Sequence, residues 1–156
     1  MFRRILLALE GGEAGDVAVS FTVALARHCG AHVDIVHVNE TIAGTGGLGT
    51  ETADQAADLV TAALQEFRAA EVDATGMTYR TSRFDLPAAI SDLACECRAE
   101  AIVVGSRRRR LHKGGTRESI ARRTPLPIIT APSPLKVKRR ARGLEAPAER
   151  DLPVHS

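Results

Sequence analysis

The stretch 105–116 contains the residue types that proteins use to bind phosphate. An apolar run, Ala101–Val104, ends at Gly105, four arginines follow at 107–110, and the pair Gly114-Gly115 precedes a short helical segment. Glycine permits a close backbone approach, a helix start offers N–H groups to an anion, and guanidinium groups bind phosphate oxygens in pairs. Two interpretations stay open at this point: an arginine-lined phosphate site, or a solvated charged loop.

No other set of side chains has the spacing of a catalytic or metal site. Cys95 and Cys97 are two residues apart on a predicted helix, so they do not share a face, and Cys29 is distant in sequence. A zinc site would therefore lack ligands. The histidines have no metal spacing and no nucleophile beside them, and we expect His37 to be a packed strand residue. We predict no catalytic residues, no metal site and no enzyme activity.

Charge is distributed unevenly along the chain. Of the 21 Lys and Arg residues, thirteen lie between 107 and 142, where Glu118 is the only acid, although the net charge is only +2. Such segregation directs anions toward one region of the surface. There is no Trp and a single Tyr, which argues against an aromatic platform for single-stranded nucleic acid.

Length and cysteine content indicate one cytoplasmic domain. A chain of 156 residues can bury a core without a disulfide or metal. The three cysteines are odd in number, and the first apolar run, 4–9, is too short for a secretory signal or a membrane span. We therefore expect reduced thiols, a cytoplasmic location and no membrane partner.

Apolar periodicity predicts alternating strands and helices. Strands are predicted at 4–9, 32–38, 73–80, 101–104 and 128–130, and helices at 17–28, 51–70, 83–97 and just after 115. The expected inner faces are Val17, Phe21, Ala24, Leu25 and His28 on the first helix, Ala53, Ala56, Ala57, Val60, Leu64 and Phe67 on the second, and Leu86, Ile90, Leu93 and Cys97 on the third. This order is typical of a doubly wound α/β fold with parallel strands and helices on both faces.

Two segments have the composition of flexible chain. Residues 39–50 are polar and glycine-rich and are predicted to form a mobile loop. Residues 133–156 contain prolines and many bases but few apolar residues, so we predict a folded domain at 1–132 and a flexible basic tail at 133–156. A weak anionic partner for the tail is a further expectation.

Four places in the chain resemble the universal stress protein family. They are the first strand and turn, I-L-L-A-L-E-G-G at 5–12, the strand end V-H-V-N at 36–39, the segment A-I-V-V-G-S-R at 101–107, and the segment R-R-T-P-L-P-I-I at 122–129. Their order and spacing along residues 2–131 match the family. Together they form a specific resemblance.

The resemblance implies a five-stranded parallel sheet in the order 3-2-1-4-5, of the adenine nucleotide alpha-hydrolase-like type. Strands 1 and 4 then end side by side, where open α/β sheets place ligands. ATP or a related adenine nucleotide is the implied ligand, with magnesium only alongside it. A homodimer through the edge strand 128–130 is also expected. The implied nucleotide-binding residues are Ala8, Leu9, Glu10, Gly11, Val38, Val104, Gly105, Ser106, Arg108, Gly114, Gly115 and Thr116.

The chain departs from the nucleotide-binding pattern of the family at several positions. Arg108 stands in place of a glycine, the loop between Gly105 and Gly114 is shorter than in the family, and Glu10 replaces an Asp. Two functions from different classes remain open. One is a stress-response dimer that binds an adenine nucleotide or another phosphate-rich ligand, with only weak nucleotide hydrolysis left undecided. The other is an interaction protein that binds no nucleotide and acts through its basic loop and tail.

Overall fold

Five parallel strands and four helices alternate along the described part of the chain. The computed structural model describes residues 1–41, 51–106 and 115–134. The elements are β1 (Arg4–Leu9), α1 (Gly12–Cys29), β2 (His32–Thr41), α2 (Ala53–Ala69), β3 (Ala74–Ser82), α3 (Leu86–Glu96), β4 (Ala101–Val104), α4 (Thr116–Ala121) and β5 (Ile128–Thr130).

The strand order is β3-β2-β1-β4-β5, and every pairing is parallel. The predicted α/β fold and its strand order are therefore confirmed. β1 is central, with Ala8 in register with Val36 on β2 and with Val104 on β4. Winding reverses beside β1, so the carboxyl ends of β1 and β4 border a crevice.

An apolar core covers each face of the sheet, and β1 is therefore buried on both sides. Ile5, Leu7 and Leu9 pack in the core that α1 and α2 cover, whereas Leu6 and Ala8 pack in the core that α3 and α4 cover. A continuous apolar run is the pattern expected of such a strand. The sheet is thus a rigid base from which the strand ends project.

Helix ends follow local sequence signals. Gly30 has a φ of 65° and ends α1, as the sequence predicts. Thr52 and Gln55 form a reciprocal capping box at the start of α2, so this helix begins at Ala53 and not at the predicted residue 51. α3 begins at Leu86, with Pro87 in its first turn, because Ser82 and Asp85 form a hydrogen-bonded turn before it.

Several predicted helix faces and boundaries are wrong. Ala24 and His28 of α1 are exposed, and its buried residues are Gly15, Ala18, Val19, Thr22 and Ala26. Ala53 and Ala57 of α2 are likewise exposed, and Ala63 is buried instead. Small residues give little apolar signal but permit the closest approach to a sheet, which explains both errors.

Other boundaries differ in smaller ways. β2 extends to Thr41, beyond the predicted end at residue 38, because it pairs with β3 as far as Ser82. Residues 39–41 of the predicted mobile loop are therefore part of a strand, and residues 42–50 lie outside the described residues. Nearly all of the predicted tail, 135–156, also lies outside them.

Candidate functional site

A cavity of about 860 Å³ opens at the carboxyl ends of β1, β2 and β4. The cavity lies at the point where the winding of the sheet reverses, which is where open α/β sheets bind ligands. It is lined by strand ends, by the segment before α3 and by the start of α4. The volume is within the range of small-molecule sites.

The β1 side of the cavity is shaped by the turn into α1. Leu9, Glu10 and Gly11 line it, and Gly12 follows with a φ of 78°, a conformation that favours glycine. A β-carbon built on Gly105, at the end of β4, would lie 3.8 Å from the Glu10 carboxylate. Glu10 therefore extends across the crevice toward β4.

The β2 side carries a hydrogen-bonded histidine. The His37 side chain is buried; its Nδ1 is 2.8 Å from the Leu9 carbonyl oxygen, and its Nε2 contacts the Glu51 carboxylate. Asn39 donates from Nδ2 to the Glu51 carbonyl oxygen at 3.2 Å. These contacts join the end of β2 to the residue just before the α2 capping box, and they confirm that His37 is packed.

The α4 side carries an ion pair that points into the same space. Arg117 Nη2 donates to Glu118 Oε1 at 2.7 Å, and both residues line the cavity. The Glu118 carboxylate is held by its own backbone N–H and then by Arg117, with the Gly115 N–H as a smaller contribution, and these lower its pKa. The Glu118 carboxylate therefore accepts hydrogen bonds from backbone N–H groups at the start of α4.

Charged groups of both signs line the cavity. Among the described residues, Glu10, Glu40, Glu51 and Glu118 supply carboxylates, and Arg83 and Arg117 supply guanidinium groups. The described part of the cavity is therefore net acidic. The arginines at 107–110 lie outside the described residues. They directly follow Ser106 in the sequence and add positive charge there.

The described side chains of the cavity offer charged, polar and apolar groups for binding. Within residues 1–41, 51–106 and 115–134, no group of three His, Cys, Asp or Glu side chains is placed to hold a metal ion. Cys95 is exposed on α3, and burial raises the pKa of the half-buried Cys97 thiol, with Asp34 adding to the effect. No helix in this part of the chain is long and apolar enough to cross a membrane.

The sequence matches a model of the universal stress protein family over residues 1–132. The chain belongs to the universal stress protein family. No relative was found among curated protein sequences.

Solved universal stress proteins have the same fold as this family member. One from Archaeoglobus fulgidus is 21% identical, with a TM-score of 0.67 over 85% of this chain and 95% of that one. One from Burkholderia pseudomallei is 19% identical, with a TM-score of 0.67 over 83% and 96% of the two chains. A further Archaeoglobus fulgidus structure, in complex with dAMP, is 20% identical, with a TM-score of 0.65 over 85% and 98%.

The cavity of this universal stress protein brings together most of the residues predicted from the sequence. Ten of the twelve predicted nucleotide-binding residues line it, namely Ala8, Leu9, Glu10, Gly11, Val38, Val104, Gly105, Ser106, Gly115 and Thr116. The other two, Arg108 and Gly114, lie outside the described residues.

Sequence reasoning missed further residues of the same cavity. Glu40, Glu51 and Arg83 come from a strand end and from segments before helices, and Arg117 and Glu118 come from α4. Of these, only the α4 pair had a sequence signal, since Arg117 lies two residues after the glycine pair at 114–115. The others are charged residues at distant sequence positions, with no periodicity that could connect them.

Proposed function

We propose that this universal stress protein binds an adenine nucleotide or a related phosphate-rich ligand in the cavity between β1 and β4. The observation that carries the proposal is the convergence of Glu10, Gly105 and Val38 on one cavity at the reversal of winding. A structurally similar family member is described in complex with dAMP. The base would lie near Val38 and the phosphates near Ser106, which four arginines at 107–110 follow in the sequence.

The protein acts as a binding module in this proposal, not as an enzyme. Its described residues provide donors, acceptors and apolar surface, and a bound nucleotide would bring magnesium with it. Arginine supplies positive charge of its own, so we expect binding to depend less on magnesium than it would at an all-glycine loop.

The first test is mass spectrometry of small molecules released from the purified protein, followed by calorimetric titration with AMP and ATP. Gly105→Ala is the matching variant, because its methyl group would lie 3.5 Å from the Ala14 carbonyl oxygen, an ordinary contact, and 3.8 Å from the Glu10 carboxylate. We expect an unchanged melting temperature and weaker nucleotide binding. Failure of the wild type to bind AMP, ATP or any retained ligand would contradict the proposal.

We further propose that the protein is a homodimer through β5. β5 is an edge strand, and the Ala131 N–H bonds to the Val104 carbonyl, so the alternating Thr130 N–H is directed away from β4. Thr130→Pro removes that N–H without removing a bond to β4, whereas Thr130→Ala keeps it. Light scattering at micromolar concentration should give a dimer for wild type and Thr130→Ala and a monomer for Thr130→Pro; a monomeric wild type would refute this interface.

The alternative function is an interaction protein that binds an anionic partner through its basic loop and tail. It is favoured by the concentration of bases at 107–142. Binding of this kind should fall steeply with salt and disappear when residues 133–156 are removed. If the truncated protein retained nucleotide, the result would support the nucleotide-binding function over this alternative.

A further inference from the structure

Both ring nitrogens of His37 face groups that accept hydrogen bonds. Nδ1 is 2.8 Å from the Leu9 carbonyl oxygen, which has no proton to donate, so Nδ1 carries a proton. Nε2 contacts Glu51 Oε1, a carboxylate oxygen. A contact between a bare Nε2 lone pair and an ionised carboxylate would be repulsive.

A second proton must therefore lie between Nε2 and Oε1 for this contact to form. With it, the pair is neutral overall, as an imidazolium with a carboxylate or as a neutral ring with a carboxylic acid. Without it, the pair has one negative charge and loses its only attraction. The side chains are mostly buried, with 8% of His37 and 24% of Glu51 exposed, so water replaces the contact poorly.

We propose that the contact between His37 and Glu51, the His37–Glu51 clasp, is a proton-dependent switch of ligand affinity at the cavity. The inference rests on the proposed function, because both residues line the proposed nucleotide site. Loss of the proton breaks the contact between the Glu51 carboxylate and His37 and adds a negative charge to the cavity. Both effects weaken binding of an anionic nucleotide.

The structure connects the clasp to the shape of the site through Val38. The Glu51 side chain contacts His37, and the Glu51 carbonyl accepts from Asn39, so the residues on either side of Val38 both hold Glu51. Val38 itself lines the cavity. Loss of the contact with His37 therefore leaves Glu51 held to β2 through Asn39 alone, beside the position where the base would bind.

Other charged groups line the same cavity and act electrostatically on the clasp. They are Glu10 after β1, Glu40 on β2, Arg83 before α3, and Arg117 and Glu118 on α4. A variant that changes only the clasp separates its contribution to the pH dependence from that of these other groups. In Glu51→Gln the side-chain amide donates to Nε2 of a neutral ring, so the contact forms without the second proton.

The experiment follows the clasp and the affinity separately across about pH 5 to 8. Nuclear Overhauser contacts between the His37 ring and the residue 51 side chain report the clasp, and ring ¹⁵N shifts report its protonation. Calorimetry with AMP reports affinity. Glu40→Gln is the matched control, because it removes one carboxylate from the same cavity and leaves the clasp unchanged.

We expect the wild type to lose the ring contact as pH rises, with about a fivefold loss of AMP affinity. Glu40→Gln should show the same step, and Glu51→Gln should keep the contact throughout with a much smaller step in affinity. A wild-type contact that does not change with pH, or an equal step in Glu51→Gln, overturns the inference. If AMP does not bind at all, the proposed function fails and the switch of affinity fails with it, whereas the magnetic resonance measurements still show whether the clasp opens with pH.

Discussion

Gly15 in α1 packs directly against the carbonyl oxygen of Glu10 at the end of β1. A β-carbon built at residue 15 would be 1.8 Å from that oxygen. No side chain can occupy this position unless the backbone moves. The close approach fixes the start of α1 against the turn that carries Glu10 into the cavity.

Gly15→Ala should destabilise the protein. The alanine gains helix propensity, but the clash with backbone outweighs it, and we expect a net loss of about 1–3 kcal/mol in the free energy of unfolding. Ser20→Ala, an exposed change in the same helix, should stay within about 0.5 kcal/mol of the wild type. Urea denaturation measures both variants; equal stability of Gly15→Ala and wild type would show that α1 shifts without cost.

Glycine should stabilise the protein at two positions where the backbone has a left-handed conformation. Glu71 and Arg98 follow α2 and α3 with φ angles of 58° and 54°, and both are exposed. We expect Glu71→Gly and Arg98→Gly each to raise the free energy of unfolding by about 0.5–1 kcal/mol, because the strain on a side chain there exceeds the added flexibility of glycine.

Gly30 provides the reciprocal control for these two substitutions, because it follows α1 with a φ of 65°. Gly30→Ala should lower stability by about 1 kcal/mol in the same denaturation measurement. If both glycine variants lost stability, the contacts of the Glu71 and Arg98 side chains would stabilise the protein by more than the backbone strain destabilises it.

The lowered pKa of Glu118 should depend on its partner. The largest cause is the residue's own backbone N–H and the second is Arg117, so Arg117→Gln should raise the pKa only part of the way to its ordinary value. Because the folded-state pKa is depressed, the stabilisation is present above the unfolded pKa and is lost as pH falls through the folded pKa. Carbon-13 titration of Glu118 in both proteins measures the change, and an identical pKa would mean that the ion pair does not persist in solution.

Arg108 should contribute to phosphate binding. It lies outside the described residues, and the prediction comes from its place in the arginine run. Arg108→Gly opens backbone room but removes a cation, and we expect the lost charge to dominate, with a roughly ten- to hundredfold weaker affinity for ATP. Arg108→Lys keeps the charge without the guanidinium fork, so its affinity for ATP should lie between that of the wild type and that of Arg108→Gly.

Calorimetric titration with ATP, with and without magnesium, tests the Arg108 variants. Arg68→Gln, an exposed charge change on α2, serves as the control for net charge alone. If the wild type binds nothing and Arg108→Gly binds magnesium-ATP, the arginine blocks the site, and the interaction-protein function becomes the better one.

The sequence alone was sufficient for the central strands of the fold. β1 and β4 match their predicted bounds because residues 5–9 and 101–104 are short apolar runs buried on both faces, and that burial requires an apolar side chain at each buried position. The strand order and ten residues of the cavity followed from the resemblance to the family, since residue periodicity contains no information about which strands are neighbours.

The tertiary structure alone decided which small residues are buried and which charged residues meet. Gly15 and Ala63 face the sheet because the helices approach it closely, and a residue without a large side chain gives no sequence signal for that contact. His37, Glu51 and Arg83 line one cavity although they are distant in sequence. Their meeting depends on the order of the parallel strands, which places the carboxyl ends of β1, β2 and β4 side by side and gives a buried histidine a carboxylate from another element.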